Sequence, residues 1–249
     1  MNRPVFYSGG SSAALTYAAR FLKDHGWEET ALPSSSVTHL LLPVPSFDAD
    51  GKIKGGVALE KILPQLPKDV TVIGGNLKHA ALKSYRTTDL LLDTSYLAVN
   101  ADITAYCAIR VAMEKLPVTL RGCPVLVIGW GRIGKCLAKL LRQMGARVAV
   151  AARKESDKAM LAALGYAVQD SLALIPGTYR LIYNTVPAPM VPAGFCEGAL
   201  KIELASKLGI QGDGVIWARG LPGLLAPESS GKLIAETVHR IISEKEVTV

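Results

Sequence analysis

The sequence predicts an α/β chain made of two open parallel-sheet domains, and three observations predict it. Short apolar runs alternate with amphipathic stretches from end to end, the pattern of strands joined by crossover helices. The run Pro124 to Ile128 is unbroken in its apolar character, as in a strand buried on both faces. It passes directly into the turn Gly129-Trp130-Gly131-Arg132-Ile133-Gly134, and a helical pattern follows.

The first domain is expected over residues 1–98. Pro4 to Tyr7 reads as a strand, closed by the turn Gly9-Gly10-Ser11-Ser12. Ala13 to His25 has helical spacing, with Leu15, Ala18, Ala19 and Leu22 on one face. Thr38 to Leu42, Val70 to Ile73 and Asp89 to Leu92 are the next strands, and Leu59 to Leu66 is a short helix weakened by Pro64. Asn100 to Leu116 is a longer helix stopped by Pro117, so residues 99–117 form an interdomain helix.

The second domain is expected over residues 118–227. A helix from Arg132 to Met144 ends at Gly145, and Arg147 to Ala151 is the next strand. Lys154 to Leu164 is a helix closed by Gly165; Leu181 to Tyr183, Leu200 to Leu204 and Val215 to Trp217 are strands. Pro227 to Ser243 places Leu233, Ile234, Val238 and Ile242 on one stripe. Residues 228–249 are therefore expected to pack back on the first domain.

Composition narrows the function classes. Of 249 residues 49% are apolar and 20% charged, a globular balance without low-complexity stretches. No apolar run is long enough to span a bilayer, and the N-terminus lacks a signal-peptide pattern, so a cytoplasmic location is expected. Cys107, Cys123, Cys136 and Cys196 have neither metal-ligand nor redox spacing, so reduced thiols and no metal are expected. The net charge is +7, from 28 Lys and Arg against 21 Asp and Glu. The cations read as spread along the chain, and the few aromatics are not interleaved with them. That argues against nucleic acid and for anionic small molecules.

Each glycine of the turn has a chemical reason. Gly129 allows the tight bend, Gly131 lets backbone approach a pyrophosphate, and Gly134 lets helix pack on strand. Backbone N–H groups at the helix start then face an anion. A Rossmann-like dinucleotide site follows, with Gly129, Trp130, Gly131, Arg132 and Ile133 at the phosphates; the bland alternative is a strand–helix turn without a ligand. The second strand ends in Ala151-Ala152-Arg153-Lys154-Glu155-Ser156. No acid stands at its tip, and Arg153, Lys154 and Ser156 suit a 2′-phosphate. NADP is therefore expected over NAD, although Glu155 leaves room for NAD.

Ligands in such sheets bind beyond the carboxyl ends of the strands. Asn184-Thr185-Val186-Pro187 forms one rigid turn there, which could support the nicotinamide ribose or be an ordinary turn. Ala205-Ser206-Lys207 follows the next strand, and Arg219-Gly220-Leu221-Pro222-Gly223 the last. Ala205, Ser206, Leu221 and Pro222 are assigned to the cofactor. Lys207 and Arg219 are the candidate cations for a substrate carboxylate. The four histidines, His25, His39, His79 and His239, all lie outside the stretch from Val186 to Pro227, which argues against a His–carboxylate alcohol dehydrogenase.

From Asn100 to Ile241 the sequence resembles the dipicolinate synthase A-subunit family. The residues that carry the resemblance are the glycine turn with Arg132, Ala152-Arg153, Asn184-Thr185-Val186-Pro187, Leu204-Ala205-Ser206-Lys207, and Gly220-Leu221-Pro222-Gly223 with Ala226-Pro227 and Gly231. The first domain matches more loosely, at Leu41-Leu42-Pro43-Val44. The resemblance implies NADP-linked oxidation of a dihydrodipicolinate-type ring to dipicolinate, a flavoprotein-like B subunit as partner, and a role in the mother cell during sporulation. Self-association is left open. Ile103-Thr104-Ala105-Tyr106-Cys107 departs from the family, which has a proline-threonine stretch with a glutamate at the position of Tyr106. Thr104, Tyr106 or water would take the proton. The competing readings are a shikimate or 2-hydroxy-acid type NADP dehydrogenase and a non-catalytic NADP-binding subunit.

Overall fold

The computed structural model describes residues 3–247. The first two and last two residues, which belong to the expected segments 1–98 and 228–249, lie outside the described residues. The strands are β1 (Val5–Ser8), β2 (Glu28–Thr30), β3 (His39–Leu41), β4 (Thr71–Gly74), β5 (Arg86–Asp89), β6 (Pro124–Ile128), β7 (Arg147–Ala152), β8 (Ala167–Asp170), β9 (Leu181–Asn184), β10 (Leu200–Glu203) and β11 (Val215–Trp217). The helices are α1 (Ala13–Asp24), α2 (Leu59–Ile62), α3 (Thr94–Lys115), α4 (Arg132–Gln143), α5 (Glu155–Ala163), α6 (Leu221–Leu225) and α7 (Pro227–Val247). They fall into two compact units, one running up to Asn100 and resuming at Pro222, the other Ala101–Leu221. Both are Rossmann-like open parallel sheets.

The first unit has strand order β2-β1-β3-β4-β5, every pair parallel. This is the flavodoxin-like winding, with its switch point between β1 and β3. Ser12 caps α1 by accepting the Leu15 N–H at 3.1 Å. The switch point is filled by the unit's own chain: a Cβ on Gly10 would meet the Lys54 carbonyl at 2.7 Å and the Ile53 side chain at 2.8 Å. One core cluster of this unit gathers Leu40, Leu42, Ile53, Leu59, Ile62 and Val72.

The C-terminal helix α7 packs on α1, as its apolar stripe predicts. Gly231 sets the approach, since a Cβ there would lie 2.5 Å from Tyr17 Cβ and 2.6 Å from the Ala14 carbonyl. Arg20–Glu228 and Arg240–Asp93 ion pairs, at 2.9 and 2.8 Å, flank the contact.

The second unit has order β11-β10-β9-β6-β7-β8, again all parallel. Counted from β6 this is the dinucleotide-binding order 3-2-1-4-5-6. Its β6, β7 and β9 are almost wholly buried, which explains their uninterrupted apolar sequence.

Five elements differ from expectation; one is helix α6, which has no counterpart in the sequence reading. The strand expected at Asp89 to Leu92 lies at Arg86–Asp89. Asp89 ends it by accepting N–H bonds from Asn76, Leu77 and Leu91, and Leu90–Leu92 wind into a 3-10 turn. Helix α3 begins six residues before Asn100, because Asp93 accepts the Tyr96 N–H at 2.7 Å and supplies a start signal. Strands β2 and β8 have no counterpart in the sequence reading. Both are edge strands with mixed or polar sequence, and pairing to a neighbour, not hydrophobic periodicity, defines them.

Candidate dinucleotide site in the second unit

Strand β6 delivers the chain into the glycine turn with Gly129 at φ +103°, a conformation that favours glycine. A Cβ on Gly129 would strike the Thr185 hydroxyl, and one on Gly134 would strike the Gly129 carbonyl. Gly131 differs: a Cβ there meets nothing within 4 Å. Space is thus kept open at the one glycine whose chemistry requires a close approach from outside. Gly131 is also the N-cap of α4, and no side chain caps that helix start. Unshared N–H groups and the helix dipole suit an anion at this point. Trp130 packs edge-on to Tyr166 with ring centroids 5.8 Å apart, and Lys135 stands 5.7 Å over its ring. Arg132 is exposed and Ile133 half-buried at the mouth of the turn.

The turn after β9 lies against this one. Asn184 is fully buried, and its amide donates to both oxygens of Glu203, at 3.0 and 2.9 Å, and to the Val186 carbonyl. Its oxygen accepts the Val186 N–H, while the Thr185 hydroxyl donates to the Ile128 carbonyl at 2.9 Å. The Asn184 and Thr185 side chains therefore shape the turn from within. Val186 and Pro187 are its more accessible members.

Glu203 received no role from the sequence. It is fully buried at the end of β10, and its carboxylate also accepts N–H bonds from Ala205, Gly209 and Ile210 at 2.9, 2.8 and 3.1 Å. A single carboxylate thus fixes both ends of the loop 205–209 and joins it to the turn after β9. The signal available in the sequence was an acid inside the apolar strand pattern of Leu200 to Leu204.

Lys207 is exposed at the tip of that loop, beside exposed Ser206 and buried Ala205. Arg219 donates to the Ser206 carbonyl at 2.8 Å and stands over the Trp217 ring, whose Nε1–H donates to the Ala205 carbonyl at 3.1 Å. The two candidate cations are therefore held at adjoining positions. Leu221 and Pro222 are both buried and belong to different units. Thr104 is buried on α3, whereas Tyr106 is 59% exposed and lines an apolar groove with Met113 and Met144. Two residues along a helix turn the side chain to the opposite side, so Tyr106 does not stand in for a residue acting beside Thr104.

At the tip of β7, Arg153, Lys154, Glu155 and Ser156 are all exposed. Asp170 lies in register with Ala152 on the neighbouring strand and, with Glu155, holds Lys158 at 2.5 and 2.8 Å. The Lys158 ammonium keeps the Asp170 carboxyl below its usual range. Among the described residues no group of three or more His, Cys, Asp or Glu side chains could hold a metal ion. No described helix is long and apolar enough to cross a membrane.

Comparison with known proteins bears on this site. Residues 104–189 match the NAD-binding domain of D-isomer specific 2-hydroxyacid dehydrogenases. The chain is 24% identical to the A subunit of dipicolinate synthase from Bacillus subtilis, over 89% of this chain and 85% of that protein. Crystal structures of the same subunit from Bacillus halodurans and Bacillus subtilis superpose with TM-scores of 0.80 and 0.82. They are 22% and 20% identical, covering 96% and 100% of this chain and 97% and 99% of theirs. A transhydrogenase from Sinorhizobium meliloti shares the fold at TM-score 0.64, 14% identical over 95% of this chain and 92% of its own.

The matched domain is an NAD-binding one, which overturns the expectation that NADP is favoured over NAD. The physical reason lies in the register of β8. The sequence shows two cations at the tip of β7 and no acid, but the fold brings Asp170 alongside and Glu155 opens α5. A 2′-phosphate set on Arg153 and Lys154 would have carboxylates as neighbours, and the same carboxylates can accept hydrogen bonds from ribose hydroxyls.

Proposed function

Because the chain belongs to the dipicolinate synthase A-subunit family, we propose that it is an NAD-linked oxidoreductase acting on a cyclic dicarboxylate of the dihydrodipicolinate type. The observation that carries this reading is the open approach at Gly131 together with the paired cations Lys207 and Arg219, all on one unit. The glycine turn and the uncapped start of α4 hold the pyrophosphate through backbone N–H groups. Val186 and Pro187 support the nicotinamide ribose, and Ala205, Ser206 and Leu221 of the same unit line the same ligand. NAD, when bound, supplies the hydride acceptor.

Lys207 and Arg219 meet the substrate carboxylates, Lys207 as a mobile point charge and Arg219 as a planar donor fixed by its bond to Ser206. The reaction removes a hydride from one ring carbon and a proton from the ring, and leaves an aromatic pyridine dicarboxylate. Aromatisation supplies the driving force, so a strong base is not needed, and Thr104 or water receives the proton. A second, flavoprotein-like subunit completes the system, and the setting is the cytoplasm of a sporulating mother cell.

The 2-hydroxyacid dehydrogenase reading has the matched segment 104–189 in its favour. Against it, all four histidines lie outside residues 101–221. The test is to incubate the purified chain, alone and with the flavoprotein-like partner, with NAD and enzymatically made hydroxytetrahydrodipicolinate, which gives the dihydro ring by loss of water. Coupled growth of nicotinamide and pyridine absorbance supports the proposal. Absence of both signals in every combination contradicts it.

A further inference from the structure

Charge is unevenly divided between the two units. Residues 101–221 carry fifteen Lys and Arg against eight Asp and Glu, a net +7, while the remainder carries thirteen of each. At the tip of β7 that excess vanishes. Arg153, Lys154 and Lys158 stand with Glu155, Asp157 and Asp170, three cations against three of the unit's eight acids. Glu155 and Asp157 lie in the first turn of α5 and complement its dipole. Asp170 has no such local reason to be there. It reaches the tip because β8 pairs with β7 and sets it beside Ala152.

The Asp170 carboxylate is fixed in place and still able to accept. Its Oδ2 takes the Lys158 ammonium at 2.5 Å, and its Oδ1 takes the Leu172 N–H at 2.8 Å. A carboxylate oxygen has two lone-pair sites, so each oxygen keeps one for a further donor. The side chain is 40% exposed, and those sites can be reached from outside. The Glu155 side chain, 87% exposed, has the same lysine as its partner at 2.8 Å and is held by nothing firmer. Lys158 is the opposite case. Only 17% exposed, it lies between the two carboxylates, and Asp170 first, then Glu155, keep its ammonium above the ordinary lysine range. Its charge is satisfied inside the protein.

We infer that Asp170 is the residue that selects NAD over NADP at this site, that Lys158 positions it, and that their pairing masks a 2′-phosphate site made of Arg153, Lys154 and Lys158. The inference rests on the dinucleotide function proposed above. An adenosine ribose brings two hydroxyl donors, and Asp170 has two acceptor positions left for them. A 2′-phosphate brings acceptors and negative charge alone, and would meet a carboxylate with no proton to share. The acid of such sites usually ends the second strand. This chain has Ala152 there and takes its acid from the neighbouring strand, in register. Without the Asp170 charge the tip would stand at +1. Lys158 would then have only the exposed Glu155 pair, which solvent screens, and could turn to a phosphate.

The test titrates the full chain with NADH and with NADPH, read by nicotinamide fluorescence. The parent should prefer NADH by at least about tenfold. Asp170→Asn keeps an acceptor for the Leu172 N–H and removes the charge. Its Kd for NADH should rise about tenfold and its Kd for NADPH fall at least about fivefold. Asp170→Ser should move the ratio the same way, so a folding defect in one variant leaves the other to decide. Adding Lys158→Met to Asp170→Asn should abolish the NADPH gain, because the released cation is gone. Lys158→Met alone should weaken NADH about threefold and keep the preference for it. A merely structural role would change both dissociation constants by one factor. That result in the Asp170 variants, or an NADPH gain that survives the loss of Lys158, overturns the inference while NADH binding by the parent upholds the dinucleotide function. A parent that binds neither nucleotide overturns both.

Discussion

Glu203→Gln tests the buried carboxylate that holds the site together. In the protein, one oxygen of Glu203 accepts from Asn184 and Ala205, and the other from Asn184, Gly209 and Ile210. A glutamine can keep its carbonyl toward Gly209 and Ile210. Its NH2 then faces the Ala205 N–H, donor against donor, in a fully buried place. The loss is one charge-assisted hydrogen bond, about 1.5–3 kcal/mol, plus one stranded N–H, about 1–3 kcal/mol. About 3 kcal/mol is a fair expectation, equivalent to a fall in Tm of roughly 6–12 °C for a chain of this size. Because Lys207 sits midway round the clamped loop, KM for the dicarboxylate should rise more than kcat falls. The assay is thermal unfolding followed by near-UV circular dichroism, paired with steady-state kinetics. A Tm within about 1 °C of the parent would refute the claim that this carboxylate is the organising group of both turns.

Three other perturbations follow from separate observations. Gly231→Ala forces a Cβ onto Tyr17 and the Ala14 carbonyl, and should cost about 1–3 kcal/mol by urea unfolding through the α1–α7 contact. Lys207→Ala should raise KM for the dicarboxylate by roughly ten- to a hundredfold in initial-rate kinetics and leave the NADH dissociation constant unchanged. The Arg240 guanidinium holds Asp93 below its ordinary carboxylate value of 3.8, with help from the Tyr96 N–H. This contribution is complete above pH 3.8 and is lost as pH falls through the lowered native value; solvent screening limits it to about 0.5–1 kcal/mol. Asp93→Asn should therefore lower stability at neutral pH and flatten its decline below pH 4, read as Tm against pH.

Local features were readable from the sequence because each residue's demand is met nearby. Gly129, Gly131 and Gly134 announce a turn, an approach and a helix–strand contact within six positions. The stripe of Leu233, Ile234 and Val238 announced a buried helix face, and these side chains are buried. What stayed hidden depends on register. Asp170 comes beside Ala152 only because β8 pairs with β7, and β8 lacks the periodicity that would reveal it. The partners of Glu203 come from positions 184, 205, 209 and 210, which no local pattern links. The side-chain partners of Asn184 and Thr185, Glu203 and Ile128, are also distant in sequence. The even spread of cations likewise dissolved once the border at Asn100 separated a neutral unit from a basic one.

On the function proposed above, the glycine turn of the second unit holds a nicotinamide dinucleotide, NAD in preference to NADP. Gly131→Val separates that role from folding, because its Cβ has no neighbour within 4 Å and its φ of −80° suits any L residue. Calorimetric titration of the parent and variant with NADH and NADPH is the most direct measurement. The parent should bind NADH more tightly than NADPH, and the variant should keep its Tm while its NADH affinity falls at least about a hundredfold. Equal NADH affinity in a folded Gly131→Val chain, or NADPH binding tighter than NADH in the parent, would contradict it.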